Sequence, residues 1–146
     1  EGNGWSYKYA RRQWNLVDNK DLCYHWLGDF DREMLKTIKL VRNFQDTPVT
    51  EIWHDEGDKV LCFMRGDLVF VFNFSPDRSY TDYGFLVPTG SYEVVLNTDS
   101  KDFGGNGFAD DTMTHLTNYD PLYVKDKKEW LKLYIPARSA VVLKKV

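Results

Sequence analysis

The sequence has little that would suit a membrane or a nucleic acid. Its 146 residues include no apolar run long enough to cross a bilayer. Lys and Arg number 19 against 22 Asp and Glu, so the net charge is −3. A mildly acidic chain lacks the basic surface that a phosphate backbone requires. We therefore expect neither a membrane nor a nucleic acid as a partner.

The start of the chain lacks both an initiating Met and the features of a secretory signal. Residues 1–4 read EGNG, which has neither the basic start nor the apolar centre of a signal peptide. The two cysteines, Cys23 and Cys62, lie far apart, and two free thiols are favoured over a disulfide. These features predict a piece of a longer protein that resides in the cytoplasm.

Motifs of catalysis and metal binding are also scarce. The three histidines are scattered and have no cysteine at ligand spacing, so no zinc site is predicted. The sequence has neither a G-x-S-x-G elbow nor a G-x-x-x-x-G-K-[ST] loop. Aspartates that could bind calcium miss the EF-hand spacing, and a solvated acidic loop is preferred; they are Asp99, Asp102, Asp110 and Asp111. We predict no metal, no cofactor and no catalytic residue here.

What the sequence does have is a pair of strongly apolar runs within residues 59–74. Both runs are rich in β-branched and aromatic residues, and Gly66 lies at their joint, which predicts a hairpin. Alternate residues of a strand point to opposite faces. One face of the second run carries Leu68, Phe70, Phe72 and Phe74, and the other carries Val69, Val71 and Asn73. Two nearly apolar faces predict a central strand that is covered on both sides.

The rest of residues 47–146 alternates short apolar segments with turn signals. Further strands are predicted at residues 52–54, 80–87, 91–97, 130–135 and 139–146, and the last two are expected to pair as a final hairpin. Residues 98–111 are predicted to form a long loop, whereas the polar residues 112–128 favour no element. Roughly seven or eight strands with frequent turns predict a mainly β fold, an antiparallel β-sandwich.

Helical periodicity is confined to residues 1–46, where a loop is followed by two predicted helices. Asp18 is a suitable N-cap for the first helix, in which Leu22, Trp26 and Phe30 recur every four residues. Gly28 is expected to interrupt this helix. The apolar face of the second helix is then formed by Met34, Leu35, Ile38 and Val41.

The first 17 residues contain the candidate binding residues. This segment has no regular period, but aromatic and basic side chains alternate along it. Such side chains are frequent at binding hot spots, and flat rings suit the faces of sugars. On residue types alone, anchoring of the loop to a neighbouring domain is favoured over ligand binding. The candidates are Trp5, Tyr7, Tyr9, Arg11, Arg12 and Trp14.

Three segments carry a resemblance to a known family. They are GNGWSYKYARRQWNLVDNKDLCYHWLGDFDREM at residues 2–34, VFVFNFSPDRSYTDYGFLVPTGSYEVVLNTDSKDFGGNG at residues 69–107, and LKLYIPARSAVVLKKV at residues 131–146. In this order they resemble the 1,4-α-glucan branching enzymes of glycogen and starch, members of the α-amylase superfamily. The sequence departs from many of those enzymes at Gly28, where Asn is common, and at Asn106, where His is frequent.

The resemblance implies a catalytic (β/α)₈ barrel followed by an all-β C-terminal domain. Residues 1–46 would be the end of the barrel and residues 47–146 the C-terminal domain. The family's catalytic carboxylates would lie on earlier barrel strands, so the parent protein would be the enzyme and this piece would be non-catalytic. Because barrel enzymes place their sites at the C-terminal ends of the strands, the six N-terminal candidates would lie near α-glucan.

The resemblance leaves two roles open for this piece. In the first, it stabilises or borders the missing catalytic barrel. In the alternative, the sandwich is a carbohydrate-binding module that grips α-glucan through surface aromatics such as Tyr80, Tyr83 or Trp130. An exposed coplanar aromatic pair would favour the second role. Without the barrel, the apolar helix faces are expected to fold back onto the sandwich or to form a homodimer.

Overall fold

The computed structural model describes residues 13–119 and 128–146. In these residues two helices precede nine strands. The helices are α1, Asn15–Asp18, and α2, Tyr24–Ile38. The strands are β1 Val49–Asp55, β2 Val60–Arg65, β3 Leu68–Asn73, β4 Tyr80–Phe85, β5 Ser91–Asn97, β6 Thr114–Leu116, β7 Asn118–Tyr119, β8 Glu129–Ile135 and β9 Ser139–Lys145. A short 3-10 helix, Lys101–Phe103, lies between β5 and β6.

The strands form two antiparallel sheets that pack face to face. The larger sheet has the order β1-β2-β3-β9-β5-β6, and the smaller has the order β4-β8-β7. The main core lies between them and consists of Val60, Cys62, Val69, Val71, Phe85, Val87, Tyr92, Leu131, Leu133, Ile135, Val141 and Leu143. The predicted fold class, an antiparallel sandwich preceded by helices, is confirmed.

Strand β3 is central, as its two apolar faces predict. It pairs with β2 on one side and with β9 on the other. Val69 and Val71 belong to the core between the sheets, whereas Leu68 is buried on the opposite face in a second cluster that includes Phe30 of α2. Phe74 departs from the prediction: β3 ends at Asn73, and Phe74 lies beyond the sheet with 61% of its surface exposed.

The predicted final hairpin is wrong. Strand β8 pairs with β4 and β7 in the smaller sheet, while β9 pairs with β3 and β5 in the larger one. The connection between β8 and β9 is bound by another loop: the Arg138 amide donates to the Ser75 carbonyl at 3.1 Å, and the Ala137 amide donates to Ser79 Oγ at 3.0 Å. These two bonds hold the connection where the chain passes from one sheet to the other.

The helices also differ from the prediction. Asp18 is the last residue of α1 rather than an N-cap, and α2 runs through Gly28 without interruption. Gly28 serves close packing, because a Cβ at this position would lie 2.8 Å from Cγ1 of Val17. Helix α1 can therefore lie directly against α2, and the glycine costs helix propensity without breaking the helix.

Candidate functional site

Five of the six N-terminal candidates, Trp5, Tyr7, Tyr9, Arg11 and Arg12, lie outside the described residues. Trp14 is described and immediately precedes α1, where 69% of its surface is exposed. A role in glucan contact therefore stays a prediction for all six residues.

The loop that follows β5 is organised by one buried carboxylate. Asp99 accepts hydrogen bonds from the amides of Asn106 at 3.1 Å, Phe108 at 2.6 Å and Ala109 at 3.3 Å. Gly105 passes so close that an added Cβ would collide with the backbone of Asp99. Asp99 thus acts as an acceptor for the loop backbone. The described ranges, 13–119 and 128–146, contain no group of three or more His, Cys, Asp or Glu that could hold a metal ion.

The same loop attaches α2 to the sandwich. Phe103 packs edge-to-face against Phe30, with ring centroids 5.4 Å apart and an interplanar angle of 82°. The indole of Trp26 lies against Gly104, where any Cβ would collide with the ring. Gly104 has a φ of 77°, a conformation that glycine adopts without strain. Helix α2 is therefore fixed on one face by aromatic packing.

Beside this packed face, three large apolar side chains of α2 are exposed. Leu27 is 68% exposed, Tyr24 52% and Leu35 47%. We call these three residues the outer helix face. Exposed apolar side chains of this kind are typical of a site that contacts another protein or domain.

A ladder of stacked phenylalanines continues the apolar surface on the larger sheet. Phe63 stacks on Phe70 with centroids 4.8 Å apart and on Phe72 at 5.8 Å, and Phe72 stacks on Phe74 at 5.6 Å. We call these four rings the phenylalanine ladder. Phe70 and Phe72 are half-buried and line a groove beside Phe30, Met34 and Ile38 of α2. The ladder and the helix therefore lie on the same side of the sandwich.

Tyr80 and Tyr83 are two of the aromatic residues that would grip glucan if the sandwich were a carbohydrate-binding module. Their rings do not form a flat platform. Their rings are 5.3 Å apart at an angle of 66°. The Tyr80 hydroxyl donates to Asp58 Oδ1 and the Tyr83 hydroxyl to Asp58 Oδ2, each at 3.2 Å, while Trp53 Nε1 donates to the Tyr83 oxygen at 3.2 Å. Burial raises the pKa of Tyr83. Both rings pack against the core, which fits a structural role.

Trp130, the third of these aromatics, is half-buried against Gly84, with Cε3 3.4 Å from the position of an added Cβ. Its indole N–H is buried and has no hydrogen-bond partner within the described residues. Because the Trp130 ring is packed in this way, little of its flat surface is accessible to a sugar. None of the three aromatics therefore forms the exposed coplanar pair that would favour the binding module.

A cavity of about 250 Å³ opens at the side of the sandwich. Its apolar lining includes Val94, Leu133, Val141, Phe108 and Met113. Its polar lining consists of Asp110, Asp111, His115 and Tyr134. We call this space the side cavity. The sequence contained one signal for it, the large apolar residues Phe108 and Met113 within an otherwise polar loop.

Two groups in the side cavity have shifted pKa values. Burial lowers the pKa of His115, and the negative charge of Asp110 opposes this shift. Hydrogen bonds from the Thr112 hydroxyl at 2.6 Å and the Thr112 amide at 2.8 Å lower the pKa of Asp110. At neutral pH the cavity therefore presents a neutral imidazole and an ionised carboxylate.

Comparison with known proteins identifies the family of this chain. A family model described as "Alpha amylase, C-terminal all-beta domain" matches residues 52–146. The chain belongs to this family. The matched range covers all nine strands of the α-amylase C-terminal domain described above except the first residues of β1.

Curated proteins named "1,4-alpha-glucan-branching enzyme" are similar to the chain over nearly its whole length. The chain is 41% identical to the protein of Saccharomyces cerevisiae over 97% of its own residues, and 40% identical to that of Candida glabrata over 97%. The protein of Equus caballus is 37% identical over 100% of the chain. The chain spans about a fifth of these relatives, 20%, 20% and 21% of their respective lengths.

The described part of the α-amylase C-terminal domain and its preceding helices includes no helix long and apolar enough to span a membrane. Cys23 and Cys62 are both free thiols. Cys23 is exposed, whereas Cys62 is buried in the sandwich core, where burial raises the pKa of its thiol to about 12.

Proposed function

We propose that this chain is the C-terminal, non-catalytic part of a 1,4-α-glucan branching enzyme. Such an enzyme transfers a segment of α-1,4-glucan to a 6-hydroxyl and so makes the α-1,6 branches of glycogen. The identity of 37–41% to proteins of that name supports the proposal. The catalytic carboxylates would then belong to a barrel outside this chain, and α-glucan would be the partner of the whole enzyme. Free thiols support a location in the cytoplasm.

The role we propose for this part is to border and stabilise the catalytic barrel. The outer helix face carries this proposal, because Tyr24, Leu27 and Leu35 are exposed apolar side chains on a helix that already packs on the sandwich through Phe30. Burying such side chains releases about 25 cal/mol for each Å² of apolar surface. Residues 1–46 would be the end of the barrel, residues 47–146 the domain that covers it, and the six N-terminal candidates would lie near the glucan.

The same face suggests a second state for the chain when it is alone. With no barrel to cover them, the outer helix faces of two copies would pair as a homodimer. The carbohydrate-binding module remains a weaker candidate at Tyr80, Tyr83 and Trp130, because the first two rings are tilted by 66° and tied to Asp58.

Separate expression of the chain and of the rest of its parent enzyme tests the proposal. The chain alone should leave the iodine stain of amylose unchanged, whereas the two parts mixed should regain branching activity. Leu27→Glu places a charge in the proposed contact and should weaken this recovery, and Arg42→Glu at an exposed position just after α2 is the matched control. Branching by the chain alone, abolished by substituting one of its own carboxylates, would refute the non-catalytic role.

A further inference from the structure

The side cavity exists because the segment 114–119 leaves one sheet and joins the other. Strand β6 pairs with β5 in the larger sheet through Ser91↔Leu116, whereas β7 pairs with β8 in the smaller sheet through Asn118↔Trp130. Between them the chain bends at Thr117. Among residues 13–119 and 128–146, the edge of β8 beyond Trp130 therefore has no neighbouring strand on this side, and the cavity occupies the gap.

The bend is held by hydrogen bonds, so the cavity is preformed. The Thr117 hydroxyl donates to Glu129 Oε2 at 2.7 Å and accepts from the Gly90 amide at 3.0 Å. The opposite wall is the loop that Asp99 organises through its three accepted amide bonds. When the walls of a site are already ordered, little conformational entropy is lost as a ligand binds.

The lining of the cavity restricts the chemistry of a ligand. None of the described lining residues is Lys or Arg, so an anion would meet the carboxylates of Asp110 and Asp111 without a Lys or Arg to balance its charge. The buried residues Leu133 and Val141 form an apolar floor that disfavours a hydrated cation. Phe108, 66% exposed, and Tyr134, 39% exposed, add aromatic surface at the mouth. These properties suit a neutral molecule with an apolar face.

The polar groups around the cavity can form hydrogen bonds with the hydroxyls of a ligand. Asn97 Nδ2 donates to Asp111 Oδ1 at 2.6 Å, and Thr112 donates to Asp110 Oδ1. The second oxygen of each carboxylate has no donor among residues 13–119 and 128–146, so both can accept a hydrogen bond from a ligand. The neutral imidazole of His115 supplies one donor and one acceptor.

We propose that the side cavity is a secondary α-glucan site, which holds one glucose unit against Phe108 and Tyr134 while Asp110 and Asp111 accept its hydroxyl protons. A pyranose ring has an apolar face and an edge of hydroxyls, and this is the combination that the lining offers. The assignment of glucan rather than another neutral polyol rests on the proposed function. The site is distinct from Tyr80 and Tyr83 and lies in the part of the chain that matches the C-terminal domain family.

Titration of the whole 146-residue chain with maltoheptaose, followed by two-dimensional NMR, tests the site. The amide signals of residues 108–115 should shift, and Phe108→Ala should weaken binding about tenfold, since ring contacts of this kind contribute roughly that factor. Asp110→Asn, which preserves shape, should weaken binding as well. Tyr119→Ala removes a ring of similar exposure outside the cavity and should leave binding unchanged.

Three results would overturn the glucan site: no shifts in residues 108–115 of a folded chain, unchanged affinity in Phe108→Ala, or equal losses in Phe108→Ala and Tyr119→Ala. If Trp5→Ala abolishes binding while Phe108→Ala does not, the glucan binds at the N-terminal segment and the proposal is wrong. Branching by the reassembled enzyme is measured separately, so a failure here leaves the proposed non-catalytic role standing.

Discussion

At the scale of single residues, Asp99 shows how one side chain determines a loop. It is 6% exposed, and its two oxygens accept three backbone amides from the glycine-containing segment that follows the 3-10 helix. Gly105 is required for this approach because any side chain would collide with the Asp99 backbone. The loop in turn carries Phe103 to α2 and Phe108 to the side cavity.

We expect Asp99→Ala to destabilise the fold by about 2–4 kcal/mol, since three partly buried amides would lose their shared acceptor. The matched control is Asp102→Ala, at an exposed position in the same loop, which should change stability by less than about 0.5 kcal/mol. Urea unfolding of both variants measures the difference. Equal stabilities for the two variants would show that the loop does not depend on Asp99.

The titration of His115 is a second prediction at this scale. Burial lowers its pKa from the ordinary value of 6.5, and the charge of Asp110 partly restores it. Asp110→Asn removes that charge, so the pKa of His115 should fall further. Proton NMR of the imidazole across a pH series measures both values. A rise in the pKa of His115 in the Asp110→Asn variant would contradict the proposed balance of burial and charge.

The sign of the effect on stability follows from the same shift. The folded-state pKa of His115 lies below its unfolded value, so the unfolded chain binds the proton more readily. The stability contributed by the neutral imidazole is therefore complete above pH 6.5 and is lost as the pH falls through the folded pKa. Replacement of His115 by Gln should flatten this part of the pH profile.

At the scale of elements, the apolar side chains of helix α2 differ in how far they are covered. Phe30 packs with Leu68, Leu96 and Val142 of the larger sheet, and Phe103 lies against it. The outer helix face has no such cover among the described residues. The helix is thus attached to the sandwich through Phe30, while Tyr24, Leu27 and Leu35 are available for a further contact.

Substitutions on the two faces of α2 should therefore differ in their effect. Phe30→Ala should lower the free energy of unfolding by about 2–3 kcal/mol, somewhat less than a fully buried Phe because the ring is half-buried. Leu27→Ala, on the outer helix face, should change it by less than about 0.5 kcal/mol. Chemical denaturation of the isolated chain measures both. A larger loss at Leu27 than at Phe30 would mean that the inner and outer faces are exchanged.

At the scale of the whole molecule, the outer helix face and the phenylalanine ladder are two apolar surfaces on the α2 side of the larger sheet. Phe70 and Phe72 of the ladder line the groove between α2 and the larger sheet, opposite Phe30, Met34 and Ile38 of the helix. The opposite side of the larger sheet is covered by the smaller one. This arrangement separates the surface proposed for the barrel from the side cavity proposed for glucan.

The isolated chain is expected to associate through the outer helix face. Sedimentation across a concentration series should show a dimer that Leu27→Glu disrupts and that Arg42→Glu does not. Trp26→Glu is unsuitable for this test, because Trp26 packs against Gly104 and its loss would perturb the fold. A monomer at every concentration would contradict the homodimer.

The sequence by itself determined the local features of this protein. The alternation of apolar residues in β3, and Gly66 between β2 and β3, depend on neighbouring residues only, and both were predicted correctly. In β5 a bulge between Val94 and Leu96 breaks the alternation, so Tyr92 and Val94 pack in the main core while Leu96 packs on the other face of the sheet. The family resemblance came from the same local motifs, and the match to the α-amylase C-terminal domain confirmed it. Periodicity reports which face of a segment is apolar, but it does not report what covers that face.

Only the tertiary structure decided how the segments combine. Strands β8 and β9 belong to different sheets because β8 pairs with β4 and β7, whereas β9 pairs with β3 and β5, and all but β7 of these partners lie far away in the sequence. Gly28 lies within a helix because Val17 packs against it. The side cavity arises where residues 114–119 change sheets, although each short strand carries no pattern of its own. Each outcome depends on contacts between distant residues, which a local pattern cannot encode.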